Sequence, residues 1–294
     1  MNRREFNLGD LAILGLTVFG RVQAGESTGE KVTAVDTHAH VFHRGLTFIP
    51  ERCYTPDYDA LPEQYLALLD ANGLSHGVII PISILGTDNS YTLEVLEQAK
   101  GRLRGLAVVD PEKDLDTLDT LAAAGIMGIR MNLAGDRPIP DVKSSPWKEL
   151  VSECIQRDWH VEVYDKASRL QGIVTPLLDS GAKVVVDHFG NPNPEQGVND
   201  PGFQYLLSVA DSRRVWVKLS APYRSSLETA AAAAPLLLRT FGPERLLWGS
   251  DWPFTNYEET IRYKDMRALL DTWVPDPNQR RIILADTPAR LYRF

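Results

Sequence analysis

From residue 32 onward, short runs of consecutive Val, Ile and Leu alternate with stretches whose apolar residues recur every three or four positions. The short runs cover 32–37, 77–82, 103–109, 126–131, 159–164, 182–187, 214–220 and 245–249. They are near-continuously apolar, the pattern of parallel strands covered on both faces. Between them the helical period predicts helices over 62–74, with Leu66, Leu69 and Leu74 on one face, and over 93–99, 115–124, 147–156, 170–178, 203–210 and 227–241. Several of these close on Gly73, Gly101, Gly125, Gly181 and Gly242, as helix C-caps do. Strand and helix in strict alternation predict an α/β fold, a single (β/α)8 TIM barrel spanning 25–294. The chain has 294 residues, and such barrels need about 250. An open doubly wound sheet is the alternative. No Gly-x-Gly-x-x-Gly follows the first strand, which counts against it.

Polar residues gather where the strands end. His38 and His40 close the first, Ser83 follows the second and Asp110 the third. Arg130 and Asn132 end the fourth, Tyr164 the fifth and His188 the sixth. Ser220 and Arg224 follow the seventh, and Asp251 the eighth. The carboxyl ends of barrel strands are where such folds keep their chemistry. Residues at i and i+2 of a strand face the same side, so His38 and His40 can converge on one metal ion or one carbonyl oxygen. Each residue also has a plainer reading. Asp251 can cap a following helix, and Arg130 and Arg224 can be structural ion pairs. Arg137 is a further candidate anion contact. His43, His76 and His160 lack a partner pattern and read as loop or packing residues.

The composition is that of a globular protein, with 44% apolar and 24% charged residues, no solenoid-length repeat and no low-complexity tract. A net charge of −8 and no basic stripe exclude nucleic-acid binding as an expectation. Residues 1–24 read as an export signal: Arg3-Arg4-Glu5-Phe6, an apolar run from Leu11 to Phe19, then Val22-Gln23-Ala24. The run is too short to span a bilayer core of about 30 Å, so stable membrane insertion is not expected. The paired arginines are twin-arginine-like, although Asn2, Asn7 and Asp10 depart from that pattern. Cleavage near Ala24 would place the mature protein in the periplasm; a cytoplasmic protein with a ragged N-terminus is the alternative. Cys53, in a loop, and Cys154, on a helix face beside Val151, make neither a disulfide framework nor a zinc pattern. Cys154 reads as a small buried hydrophobe.

Several segments together resemble the amidohydrolase superfamily, and within it the branch of 2-pyrone-4,6-dicarboxylate lactonase and related lactone hydrolases. They are Asp36-Thr37-His38-Ala39-His40, Tyr54-Thr55-Pro56, Gly86-Thr87-Asp88-Asn89, Gly128-Ile129-Arg130, Asp187-His188, Lys218-Leu219-Ser220 with Arg224, and Gly249-Ser250-Asp251-Trp252-Pro253. The resemblance implies hydrolysis of a small anionic lactone. Asp251 would activate water as general base, and His38, His40 and His188 would polarise the carbonyl. Arg130 and Arg224 would hold substrate carboxylates, with hydroxyl contacts from Tyr54, Ser83 and Tyr164. Metal use is open at this point. Many superfamily members hold zinc, and His38, His40 and Asp251 could hold one catalytic Zn with an open position. Such members use a carboxylated Lys or Glu on a middle strand; the fifth strand here, Val161-Glu162-Val163-Tyr164-Asp165, offers Tyr164 at its inward tip, not Lys, and the pyrone lactonase works without metal. The sequence also leaves open a zinc-dependent decarboxylase of an aromatic or enoic acid, a sugar-acid lactonase or lactone isomerase, and a non-catalytic periplasmic binding protein. It carries no signal for oligomeric state.

Overall fold

The computed structural model describes residues 31–294 except Cys53 and Asp136. The expected export signal and the expected loop position of Cys53 lie outside the described residues. Eight strands, β1 (Val35–Ala39), β2 (His76–Ile79), β3 (Leu103–Ala107), β4 (Ile126–Asn132), β5 (His160–Tyr164), β6 (Lys183–Val186), β7 (Val215–Leu219) and β8 (Leu246–Trp248), pair in parallel in sequence order. The seam between β8 and β1 closes just past the end of β8. There Asp251 N donates to His38 O at 2.8 Å and His40 N to Trp252 O at 2.8 Å. The sheet is therefore the expected barrel, not the open alternative.

Strand parity divides the core in two. Val78, Ile80, Leu106, Val185, Trp216 and Leu247 cluster with Val35 and Tyr292. Their neighbours Ile79, Ala107, Val184, Val186, Val217 and Leu246 pack in the larger cluster with the helices. Adjacent strand residues point to opposite faces, so the first set fills the barrel and the second lies between sheet and helices. Helices α1 (Pro62–Ala71), α2 (Ser90–Gln98), α3 (Leu118–Ala123), α4 (Trp147–Gln156), α5 (Leu170–Asp179), α6 (Pro201–Ser208) and α7 (Leu227–Phe241) fall where the period placed them. Cys154 is buried on α4, and burial pushes its thiol up to about 12.

Two differences have local causes. Strand β3 stops at Ala107 because the Asn89 side chain takes over the next residue: Val108 N donates to Asn89 Oδ1 (3.0 Å) and Asn89 Nδ2 to Val108 O (2.9 Å). Helix α2 starts earlier than expected, at Ser90, whose N–H is accepted by Asp88 Oδ1 (2.9 Å). The Gly86-Thr87-Asp88-Asn89 segment thus shapes the top of the barrel. Beyond β8 the chain adds α8 (Tyr263–Trp273), α9 (Pro277–Arg281) and α10 (Thr287–Leu291), C-terminal to the expected helices. Tyr263, Met266, Leu270 and Trp273 are the buried face of α8.

Candidate active site

A cavity of about 340 Å³ opens at the carboxyl ends of the strands. His40, Tyr54, Ser83, Arg130, Tyr164, His188, Arg224 and Asp251 all line it, together with Arg137, Asn132, Glu51, Thr255 and Asn256. His38 lies just beneath, fully buried. Asp110 does not join them; it sits at the surface, paired with Lys113 at 2.7 Å.

Strand-end turns aim the key groups inward. His188 and Asp251 both adopt left-handed backbone, with φ 51° and 64°, conformations that cost about 1–3 kcal/mol and cluster at functional sites. No helix follows Asp251 before Tyr263, so the helix-cap reading does not apply. Gly249 has a steric reason: a Cβ there would sit 2.5 Å from His38 Cβ. Only glycine lets β8 come this close to the histidine strand. Asp36 lies outside the cluster of imidazoles. It accepts from Ser250 N (2.8 Å), Ser250 Oγ (2.6 Å) and Tyr263 Oη (2.8 Å), tying β1 to the turn that carries Asp251.

Asp251 is held from one side only. Its Oδ2 accepts from Tyr223 Oη at 2.7 Å and Arg224 Nε at 2.9 Å, with Arg224 Nη2 at 2.7 Å. Its Oδ1 is buried without a hydrogen-bond partner among the described residues, 3.4 Å from His38 Nε2, 3.4 Å from His40 Nε2 and 3.9 Å from His188 Nε2. Burial alone would raise this carboxyl; Arg224 and His188 beside it hold it well below the usual carboxylate range. Burial lowers all three imidazoles, His188 to about 4, so they are neutral at pH 7.

Hydrogen bonds then assign the ring protons. His40 Nδ1 lies 2.8 Å from Ile80 O, a group that only accepts. Its proton is therefore on Nδ1, and a lone pair on Nε2 faces Asp251. His188 Nδ1 is 2.8 Å from the Ser220 hydroxyl. His38 Nδ1 is 3.0 Å from Lys218 Nζ, and an ammonium has no lone pair to offer. Nδ1 must accept, which leaves the proton on Nε2.

Beneath His38 lies a layer of buried charge. Lys218 contacts Glu162 and lies 3.4 Å from Asp187 Oδ1. Arg130 reaches Asp187 Oδ2 at 3.2 Å and donates to Pro81 O at 3.0 Å. Burial, then Asp187, push Glu162 up to about 8. Burial works the same way on Asp187, but Lys218 beside it overcomes the effect and holds that carboxyl well below its usual value. Glu162 and Lys218 had not been picked out from the sequence as site residues. The inward parity of β5 and β7, with Glu162 two residues before Tyr164 and Lys218 two before Ser220, was the available signal.

Both arginines expected to hold substrate therefore line the cavity while also making ion pairs. Arg137 differs. Among the described residues its guanidinium makes one hydrogen bond, to Asn132 O at 3.3 Å, and no ion pair.

A family model for amidohydrolases matches residues 35–294. The chain belongs to the amidohydrolase family. This amidohydrolase is 31% identical over 268 residues to 4-sulfomuconolactone hydrolase of Hydrogenophaga intermedia, covering 87% of the chain and 88% of the relative. It is 31% identical over 277 residues to 2-pyrone-4,6-dicarboxylate hydrolase of Comamonas testosteroni, covering 88% and 90%. Its fold matches the crystal structure of a probable 2-pyrone-4,6-dicarboxylic acid hydrolase from Acinetobacter baumannii with citric acid bound. That match has a TM-score of 0.86 and 32% identity, over 89% of this chain and all of the other (100%).

Members of this superfamily often carry a divalent metal, and two groups here could hold one by proximity: His38, His40 and Asp251, or His38, Asp187 and His188, each with ligand atoms within 4.8 Å of one another. In the first group, His40 Nε2 and Asp251 Oδ1 offer lone pairs. His38 does not, because the Lys218 contact puts its proton on the Nε2 that faces them. In the second, Lys218 and Arg130 already neutralise Asp187. Charge points the same way. Lys218, Arg130 and Arg224 face Glu162, Asp187 and Asp251, an even balance that turns positive when Glu162 takes a proton. A divalent ion would add two more positive charges to a buried site. The donor set as it stands does not fit a resident metal.

Proposed function

We propose that this amidohydrolase hydrolyses a small lactone carrying one or more carboxylates. The observation that carries the reading is the buried, unpaired Oδ1 of Asp251, flanked at 3.4 Å by a donor, His38 Nε2–H, and at 3.4 Å by an acceptor, His40 Nε2. A water seated there donates one proton to Asp251 and the other to His40, and accepts from His38. Its remaining lone pair faces the cavity. Two acceptors and one donor are what orient a nucleophilic water for general-base attack.

Water adds to the lactone carbonyl carbon and gives up a proton to Asp251. With the Ser220 hydroxyl donating to Nδ1, His188 presents Nε2–H to the carbonyl oxygen and stabilises the oxyanion. The ring C–O bond then breaks, and the proton held by Asp251 goes to the leaving oxygen, giving the open-chain hydroxy or enol acid. The resemblance gave the three imidazoles one shared role as carbonyl polarisers. Their partners separate them: His188 faces the carbonyl, His40 shares the base function and His38 holds the water. This chemistry calls for no metal. Turnover that survives exhaustive chelation is the expected result.

An anionic substrate is supported by three arginines in one small cavity, of which Arg137 is paired with no carboxylate among the described residues. A guanidinium matches a carboxylate in bidentate geometry. Arg130 and Arg224, with N–H groups to spare, add field, while Tyr54, Ser83 and Tyr164 add hydroxyl contacts from the wall. The similarity to 4-sulfomuconolactone hydrolase and 2-pyrone-4,6-dicarboxylate hydrolase supports the same substrate class. The test is hydrolysis of pyrone dicarboxylate, muconolactone-type and sugar-acid lactones by purified protein. Absence of turnover on every one would overturn the reading.

A further inference from the structure

We propose that Lys218 is a positioning residue. Its ammonium donates to His38 Nδ1, fixes His38 as the Nε2–H form, and so keeps a divalent cation out of the group made by His38, His40 and Asp251. The inference goes beyond the lactonase reading and stands on geometry that does not depend on the substrate.

Lys218 is wholly buried at mid-strand on β7, an expensive place for a charge unless it is paired and hydrogen-bonded. It is paired twice, with Glu162 and with Asp187. Two of its three donor directions are taken by those acids, and the remaining one is the 3.0 Å contact to His38. His38 has another nearby choice, since Asp187 Oδ1 lies 3.3 Å from the same Nδ1. A proton on Nδ1 would serve that carboxylate, but it would also set an N–H against an ammonium at 3.0 Å, two donors with no acceptor between them. The shorter contact and the repulsion both select the lone pair on Nδ1. Metal-ligating histidines are usually arranged the other way: the ring nitrogen away from the ion donates to a carboxylate or carbonyl and leaves the ligating nitrogen bare. His40 follows that rule through Ile80, and His38 would follow it through Asp187 if Lys218 were absent. One buried lysine thus decides whether the opening strand presents two bare nitrogens or one nitrogen and one N–H.

The test has two readouts that need no substrate. Long-range proton–nitrogen spectra of the full chain with labelled histidine resolve the tautomer of each of its 6 imidazoles, and His38→Gln assigns the His38 signals. The expected wild-type result is His38 protonated on Nε2 and bare on Nδ1. Zinc affinity is then measured by competition with a chromophoric chelator. Lys218→Met and the charge-balanced Lys218→Met/Glu162→Gln are compared with wild type. The double variant removes the carboxylate that Lys218→Met alone would strand, and a thermal melt checks its fold. A gain of about 10–100-fold in zinc affinity is expected, the usual size of effects from groups behind a metal ligand, with His38 switching to Nδ1–H. A wild-type His38 already protonated on Nδ1 would overturn the proposal, as would equal zinc affinity in wild type and a folded double variant. If neither variant folds, the wild-type tautomer alone decides. Failure to turn over any lactone would sink the proposed function and leave this assignment standing, so the two failures are distinguishable.

Discussion

Asp251→Asn isolates the base with little change of shape. Tyr223 and Arg224 donate to Oδ2, so the amide oxygen of the variant takes that position and its NH2 takes the place of Oδ1. An acceptor 3.4 Å from His38 Nε2–H becomes a donor at the same spot. The water then meets two donors and only His40 as acceptor, so it is turned away from attack. General-base catalysis contributes about 10²–10⁴ in rate, so kcat should fall by that factor, about 2.7–5.4 kcal/mol of barrier at ~1.36 kcal/mol per decade. KM should change by less than about threefold, because Arg137 and the hydroxyl wall are untouched and only ground-state contacts set that term. The acid side of the pH profile adds a second check. A free Asp titrates near ~3.9, and Arg224 holds Asp251 well below its ordinary value against the opposing effect of burial. The base is then ionised throughout about pH 5–8, and kcat/KM in wild type shows no acid limb from it in that window. Initial rates followed by loss of lactone absorbance measure all of this. An Asp251→Asn enzyme that folds and keeps kcat within about tenfold of wild type would refute the assignment of Asp251 as base.

Arg137→Met should raise KM for a carboxylated lactone while leaving kcat within a few-fold; loss of one charge-assisted contact of about 1.5–3 kcal/mol corresponds to about 10–150-fold, and steady-state kinetics with and without the substrate carboxylate give the split. Gly249→Ala drives a methyl to 2.5 Å from His38 Cβ, so overpacking of about 1–3 kcal/mol should appear in urea unfolding together with a loss of kcat. Residues 1–24 are proposed as a twin-arginine-type export signal, so Arg3→Lys/Arg4→Lys should leave uncleaved protein in the cytoplasm where the parent chain is recovered from the periplasm; fractionation with N-terminal sequencing reads the outcome, and equal distribution of both forms would end that proposal.

The barrel was legible because its signals are local. Near-continuous apolar runs such as Val184-Val185-Val186 mark doubly covered strands, and a glycine after several of the helices marks their ends. Boundaries were lost where a side chain replaced the backbone, as when Asn89 satisfies Val108 and stops β3. Helix α8 was legible in its Tyr263, Met266, Leu270 and Trp273 stripe but passed over, since charged neighbours dilute it. The site divides along the same line. His38, His40, His188 and Asp251 could be named because each stands at a strand end, where polarity is conspicuous. Arg224 could be named but not placed: its bond to Asp251 spans two loops, and no spacing encodes it. Glu162 and Lys218 stand at mid-strand among apolar neighbours, where a lone charge reads as an interruption of a buried strand. Their meaning comes from β5 and β7 meeting beneath β1, a relation between residues 56 apart in the one pair and 180 apart in the other. What the strand ends make visible is which groups can react. Which of their nitrogens carries a proton is set one layer lower, by contacts that only the closed barrel creates.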